Sequence, residues 1–212
     1  MENIKDKHHF FIGNIFDDEN QIKILRNVQK KLRKKYSLKN PHWNNKFFTN
    51  LIYLGYFDNE TANLYMENVI TNLLKALGDK FNELTCEYTG FKIEYDNSFY
   101  KISLKFTDTE NYLEKIIVPY LHNNAILPIY DKKKNILKPA IDLIYYKSSY
   151  LLGTDKDASR IRIQVPTEKF KFNHIALIKG TTVRVRSGTP SLHDQMSLEE
   201  ISRFKFPLEG TI

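Results

Sequence analysis

KPAIDLIYYKS, residues 138–148, and FFTNLIYLGYF, residues 47–57, decide how this chain is read. Each holds a small or apolar residue, one variable position, a polar residue and then Leu-Ile-Tyr. The paired runs are Phe48-Thr49-Asn50-Leu51-Ile52-Tyr53 and Ala140-Ile141-Asp142-Leu143-Ile144-Tyr145. Side chains two apart on a strand share a face. Phe48 with Asn50, and Ala140 with Asp142, are therefore expected on one face of their strands. The two strands give the halves of the chain a loose likeness.

Working outward, His9 to Gly13 reads as a short buried strand. From Asp17 to about Lys35, Ile22, Leu25, Val28 and Leu32 recur at helical steps. Acidic residues open that run and basic ones close it, as a helix dipole favours. Residues 59–77 predict a second helix, with Leu64, Val69, Leu73 and Leu77 along one side and Gly78 after it. Thr85–Glu94 and Ser98–Phe106 predict a hairpin around Tyr95-Asp96-Asn97. A third helix is expected over Thr109–His122, ended or kinked at Pro119. Strands are expected at 140–146, 160–165, 171–178 and 182–186. A short helix is expected over Ser197–Phe204, where Ser197 and Glu200 make a capping-box pattern. The order implies an α+β domain with largely antiparallel sheets.

Composition sets the bounds. At 212 residues, 42% hydrophobic and 27% charged, the chain can build one sizeable core. No apolar run is long enough for a membrane span, and no signal peptide is expected at the start. A single cysteine, Cys86, allows no internal disulfide and no cysteine zinc site, which suits an intracellular, cytoplasmic or nuclear, setting rather than secretion. The net charge of +7 favours an anionic partner such as a nucleotide or RNA; it equally suits a solubilising, lysine-rich surface. Eight glycines form no phosphate-binding loop, and no Gly-x-Ser-x-Gly elbow occurs. His8-His9 lacks companions at ligand spacing, so neither a metal nor a cofactor is expected.

On the motif pair at 48–55 and 138–145, the chain resembles the 2H phosphoesterase superfamily, and within it the LigT-type cyclic phosphodiesterases. Leu51-Ile52-Tyr53-Leu54-Gly55 matches the tail of the family's first motif, and Lys138-Pro139 precedes the second as in the family. The resemblance covers roughly residues 9–180. It implies one bilobal domain over residues 1–212, made of two mainly antiparallel sheets with flanking helices. The lobes exchange strands, and the motif strands are 47–55 and 138–147. It also implies a phosphodiesterase whose motifs read His-x-Thr/Ser. Here the histidine positions hold Phe48 and Ala140, and the hydroxyl positions hold Asn50 and Asp142. Neither Phe nor Ala transfers a proton, and general acid–base catalysis contributes ~10²–10⁴-fold. Asp142 places a negative charge where the phosphate would sit, which opposes anion binding unless it is paired. A one-residue slip would bring in Thr49, with Phe47 at the histidine position, and still supply no imidazole.

Other candidates sit beside plainer readings. His174-Ile175-Ala176-Leu177 offers a relocated catalytic histidine, or an ordinary strand histidine. His42-Trp43 could line the cleft mouth. Arg160 with Arg162, and Arg184 with Arg186, are strand-spaced pairs that can grip phosphate, or belong to a solvated sheet face. Lys30, Lys31, Arg33, Lys34, Lys35 and Lys39 could touch RNA backbone, or solvate a helix end. Tyr53, Tyr145 and Tyr146 could stack on bases, or pack in the core. The leading expectation is recognition of a nucleotide or RNA phosphodiester, either a 2′,3′-cyclic phosphate or a 2′,5′-linked oligonucleotide, by a pseudoenzyme with impaired hydrolysis. Thr49, Tyr53, Tyr145, Arg184 and Arg186 are its expected contacts. Two alternatives stay open: an active phosphodiesterase with rearranged residues or an introduced Ala140, and a protein-interaction module with no nucleotide.

Overall fold

Strand β1 (His8–Ile15) runs out of sheet pairing at Phe16, whose N–H donates to Phe47 O, and the chain turns into helix α1 (Glu19–Lys35). Asp18 caps that helix by accepting the Gln21 N–H at 2.8 Å, and Arg33, Lys34 and Lys35 lie in its last turn, opposite the dipole. The computed structural model describes residues 8–39, 41–43, 46–77, 84–96, 99–123, 139–149, 152, 158–183 and 195–206. After a two-residue strand β2 (His42–Trp43) come β3 (Phe48–Phe57) and helix α2 (Asn59–Leu77). Asp58 accepts the Thr61 N–H at the start of α2. Strands β4 (Leu84–Asp96) and β5 (Phe99–Asp108) form the long hairpin. Helix α3 (Val118–Asn123), strand β6 (Ala140–Tyr146), and strands β7 (Phe170–Phe172), β8 (His174–Val183) and β9 (Gln195–Lys205) complete the order.

Every described strand pairing is antiparallel, in the order β7-β4-β5-β6-β3-β1-β8-β9, with β2 also on β6. The sheet divides into two four-stranded halves. Among the described residues one register pair, Thr49 with Ile141, joins them, between β3 and β6. The helices cover one face. Leu25, Val28 and Leu32 of α1 and Tyr65, Met66, Val69 and Leu73 of α2 are buried there against Phe10, Ile12, Leu51, Ile102, Leu104, Ile141 and Ile144.

Bulges shape the two seam strands. Between Ile102 and Ser103 the β5–β6 register skips Leu143, so Asp142 and Tyr145, three apart, both leave the core side. The skipped Leu143 carbonyl accepts the buried Gln29 Nε2 of α1 at 2.8 Å, so its bond comes from the helix rather than the sheet. Two further shifts fall in the β1–β3 pairing. There Gly13 is required: a Cβ would lie 1.9 Å from Thr49 O.

Four expectations are corrected. Residues 195–205 are strand β9, not a helix: Ser197 pairs with Thr181, and Glu200 binds Arg203 instead of capping. Residues 160–165 are not a strand but follow a 3₁₀ turn, Ala158–Arg160, because side chains of α1 and the residue after it take their backbone bonds. The Arg162 N–H donates to Tyr36 Oη, and Lys35 Nζ donates to the Arg162 carbonyl. The expected helix over 109–122 begins at a turn with Asn111 at φ 59° and passes through a π turn, Leu113–Ile117, directly before α3, where Pro119 supplies no N–H. Leu64 is exposed, and the buried side of α2 runs through Ala62, Tyr65, Met66, Val69 and Leu73. The turn at Asn97 lies outside the described residues.

Candidate functional site

Among the described residues no helix packs on the second face of the sheet, and the two motif strands meet at its centre; this face is the candidate groove. Thr49 pairs with Ile141, so the antiparallel register sets Phe48 beside Asp142 and Asn50 beside Ala140, with neighbouring strands ~4.8 Å apart. All four are half-buried, while Thr49 and Ile141 are wholly buried toward the helices. Thr49 is thereby corrected as a ligand contact: strand alternation turns it into the core. The one-residue slip fails for the same reason.

One half of the groove floor is polar. Asp142 accepts Ser103 Oγ at 2.7 Å and Tyr145 Oη at 3.1 Å, and pairs with Lys101 Nζ at 3.2 Å. Lys101 also reaches Glu94 at 3.3 Å, and Glu94 reaches Lys92 at 2.6 Å. Burial disfavours the Lys101 ammonium, but Asp142 and Glu94 outweigh it and raise its pKa. Glu94 is likewise pushed up by burial and pulled further down by Lys92 and Lys101. Asp142 is thus not a bare charge on the floor; a cation and two hydroxyls occupy it. Reasoning from the motif alone missed Lys101 and Ser103. The signal was present in Lys101-Ile102-Ser103-Leu104-Lys105, whose alternation puts Lys, Ser and Lys on one face.

The other half is apolar. Phe11, Ala176, Ile178 and Leu198 form a buried cluster separate from the main core, with Ile15, Phe48 and Tyr53 packed on it. Phe48 meets Phe11 edge-on at 6.2 Å between ring centres, and Tyr53 lies 5.1 Å from Phe11. Phe48 therefore packs where the resemblance puts an imidazole. Tyr53 Oη shares a 2.8 Å hydrogen bond with His9 Nδ1. Burial, then neighbouring His8, lowers the His9 pKa, and burial raises that of Tyr53, so both favour their neutral forms.

The remaining candidates are scattered. His174 is 3% exposed. Its Nδ1 is 2.8 Å from Asn173 Oδ1 and 3.2 Å from Asn14 Nδ2, and its Nε2 faces Glu200 at 3.8 Å without a hydrogen bond. Burial, then Arg203, lowers its pKa against Glu200 and Asp17. It borders a cavity of about 320 Å³, shared with Asn14, Gln21 and Tyr88 near the start of α1. Tyr145 faces the groove, whereas Tyr146 is buried and stacked on Tyr100 at 5.4 Å. Arg160 donates to the Leu152 carbonyl from a 3₁₀ turn. Arg184 and Arg186 lie outside the described residues. The basic residues at the end of α1 belong to a helix on the covered face, across the sheet from the groove. His42 pairs through its backbone with Tyr145. Among the described residues no group of three or more His, Cys, Asp or Glu could hold a metal, and no helix is long and apolar enough to cross a membrane.

A continuous antiparallel sheet, with helices on one face and two motif strands paired at its centre, is a fold this chain shares with solved structures. Solved structures that share it include TT0787 of Thermus thermophilus, at 14% identity and TM-score 0.59, covering 95% of this chain and 100% of that one. E. coli LigT shares it too. Its complex with 3′-AMP is 11% identical with TM-score 0.55, and its apo form 12% identical with TM-score 0.56; each covers 95% of this chain and 98% of that one. At such identities the common property is the fold. No protein-family model matches the sequence, and no curated protein matches it.

Proposed function

We propose that this chain is a 2H phosphoesterase-type protein, one domain over its 212 residues, that binds a nucleotide or RNA phosphodiester in its groove and has lost efficient hydrolysis. One observation carries the reading: Phe48, Asn50, Ala140 and Asp142 converge at the register pair joining β3 to β6. The groove lies where this fold brings its motif strands together, and neither histidine position, Phe48 or Ala140, can move a proton. The LigT structures hold 3′-AMP or ATP, which makes small nucleotides the first ligands to try. The apolar half, with Tyr53 and Phe48, suits a base, and the polar half suits a phosphate. A nucleotide ligand and a lone, buried Cys86 fit an intracellular setting.

Calorimetric titration with 3′-AMP and with adenosine 2′,3′-cyclic phosphate tests binding, and product analysis tests turnover. Binding with turnover at background is expected, because a missing acid or base forfeits ~10²–10⁴-fold. Phe48→His combined with Ala140→His should then gain measurable hydrolysis. Turnover near ~10 s⁻¹ by the unaltered chain would sink the impaired-enzyme reading, and absence of binding would hand the groove to a protein partner. One observation favours an active enzyme with rearranged residues: the His9–Tyr53 hydrogen bond on the groove side. His9→Ala abolishing such turnover would establish that alternative.

A further inference from the structure

One row of residues crosses the groove floor from strand to strand. Gly90 pairs with Lys105, Lys105 with Ala140, Asn50 with Gly13, and Gly13 with Ala176. Ala140 and Asn50 are neighbours by the Thr49–Ile141 register. Six consecutive strands thus contribute Gly, Lys, Ala, Asn, Gly and Ala. Gly13 and Ala176 are buried at one end of the row, whereas Gly90, Lys105, Ala140 and Asn50 are half-buried, and Lys105 and Asn50 are its polar side chains.

Lys105 has special room. Gly90 sits at a bulge with φ 145°, and the Lys105 stem lies across it, with Cε 3.6 Å and Nζ 3.8 Å from where a Cβ would be. Small residues on both sides leave the ammonium free to swing. Lys105 is half-buried and makes no ion pair or hydrogen bond among the described residues, unlike Lys101 with its two carboxylates. Asn50 is half-buried, and its Oδ1 is enclosed without a partner. Whatever polar part it offers the groove is its amide nitrogen, a donor.

Resting on the nucleotide reading above, we propose that Lys105 and Asn50 form a phosphate seat over Ala140. With strands ~4.8 Å apart, the two residues flank Ala140 about 10 Å from each other, a gap that a lysine stem and one phosphoryl group close. The alanine methyl leaves the volume open where the resemblance puts a catalytic imidazole. The seat therefore holds a phosphoryl group by charge and hydrogen bonds and supplies no acid or base to cleave it.

The test uses the full chain, with 3′-AMP, adenosine and inorganic pyrophosphate as probes, titrated calorimetrically at low salt. Lys105→Met should weaken 3′-AMP and pyrophosphate about tenfold, the scale of one charge-assisted hydrogen bond, and leave adenosine unchanged. Ala140→Leu, which fills the seat from a half-buried position, should do the same. Circular dichroism melts of both variants should match the original protein. If 3′-AMP binds and neither variant changes its affinity, the seat is overturned while the nucleotide reading stands. If pyrophosphate binds in a Lys105-dependent way and 3′-AMP does not bind, the seat stands and the nucleotide reading falls. If neither anion binds the unaltered chain, both are overturned.

Discussion

Replacing Lys101 with Met removes one charge and keeps the apolar stem. The ammonium lies 3.2 Å from Asp142 Oδ2, and a unit pair at that distance with an effective dielectric near 20 has a gross attraction of about 5 kcal/mol. Desolvation offsets much of it. The Lys101 and Asp142 side chains are 21% and 14% exposed, so theirs is the costly pair to break; Glu94, at 35%, is solvated enough to contribute little. Removing one partner of a buried pair costs ~3–5 kcal/mol; Asp142 keeps Ser103 and Tyr145, which lowers the expected loss to about 2–3 kcal/mol at pH 7. The pH dependence follows from Glu94. The lysines hold its carboxyl below the usual 4.5 in the folded protein, against burial. A carboxyl depressed by folding contributes stability that is present above its unfolded value and lost as pH falls through its folded one. The original protein should therefore lose stability as pH drops below about 4.5. The variant should lose slightly less, so the gap between the two curves should narrow a little in acid without closing. Urea unfolding followed by circular dichroism, repeated from pH 7 to pH 3, measures this. A loss under ~1 kcal/mol at pH 7 would refute the assignment of Lys101 as the cation that neutralises the groove floor.

Gly13→Ala should destabilise by about 3 kcal/mol, the upper range for overpacking, because its Cβ would meet a backbone oxygen, Thr49 O, that side-chain motion cannot relieve. An unchanged urea midpoint would show that β1 and β3 do not pair in this register. His174 titrates in a higher window than Glu94. Burial and Arg203 hold its pKa below 6.5, so its contribution is present above 6.5 and lost as pH falls toward the folded value. His174→Gln should flatten, though not abolish, the fall in unfolding free energy between pH 7 and pH 5, since His9 is shifted the same way. Identical slopes would mean that the ring is solvated.

Legibility in the sequence followed from how local each signal was. The motif strands, α1 and the long hairpin announced themselves because period and partner agreed over many residues. Strand β9 did not, and a bulge is the reason. Its register shift leaves Ile201 unpaired between Glu200 and Ser202, so Leu198, Ile201 and Phe204 fall three apart and mimic a helical step. Strict alternation from Asp142 would turn Tyr145 away from the groove; the bulge at Leu143 is what puts this expected contact on the groove side. The polar floor was less legible still. Lys101, Ser103 and Lys105 acquire meaning only once β5 lies beside β6, a pairing across some forty residues of chain that no motif encodes.

On the impaired-enzyme reading proposed above, the supports of the seam let such a groove outlast its chemistry. The β6 bulge is held by Gln29 from the covered face, the β1–β3 approach by the missing side chain of Gly13, and Asp142 by Ser103, Lys101 and Tyr145. None of these depends on a side chain at 48 or 140, so a change at either position leaves the strand geometry standing. The two positions are not equivalent, however. Phe48 is packed on Phe11 and the apolar cluster, and replacing it with histidine surrenders buried aromatic surface at ~25 cal/mol per Å². Ala140 is a small, half-buried residue paired with Lys105 and lies outside the apolar cluster. An imidazole is therefore easily accommodated at 140 and costly at 48. If the chemistry was lost in two steps, the change at 140 removed function alone, and the change at 48 also added packing that now opposes its reversal.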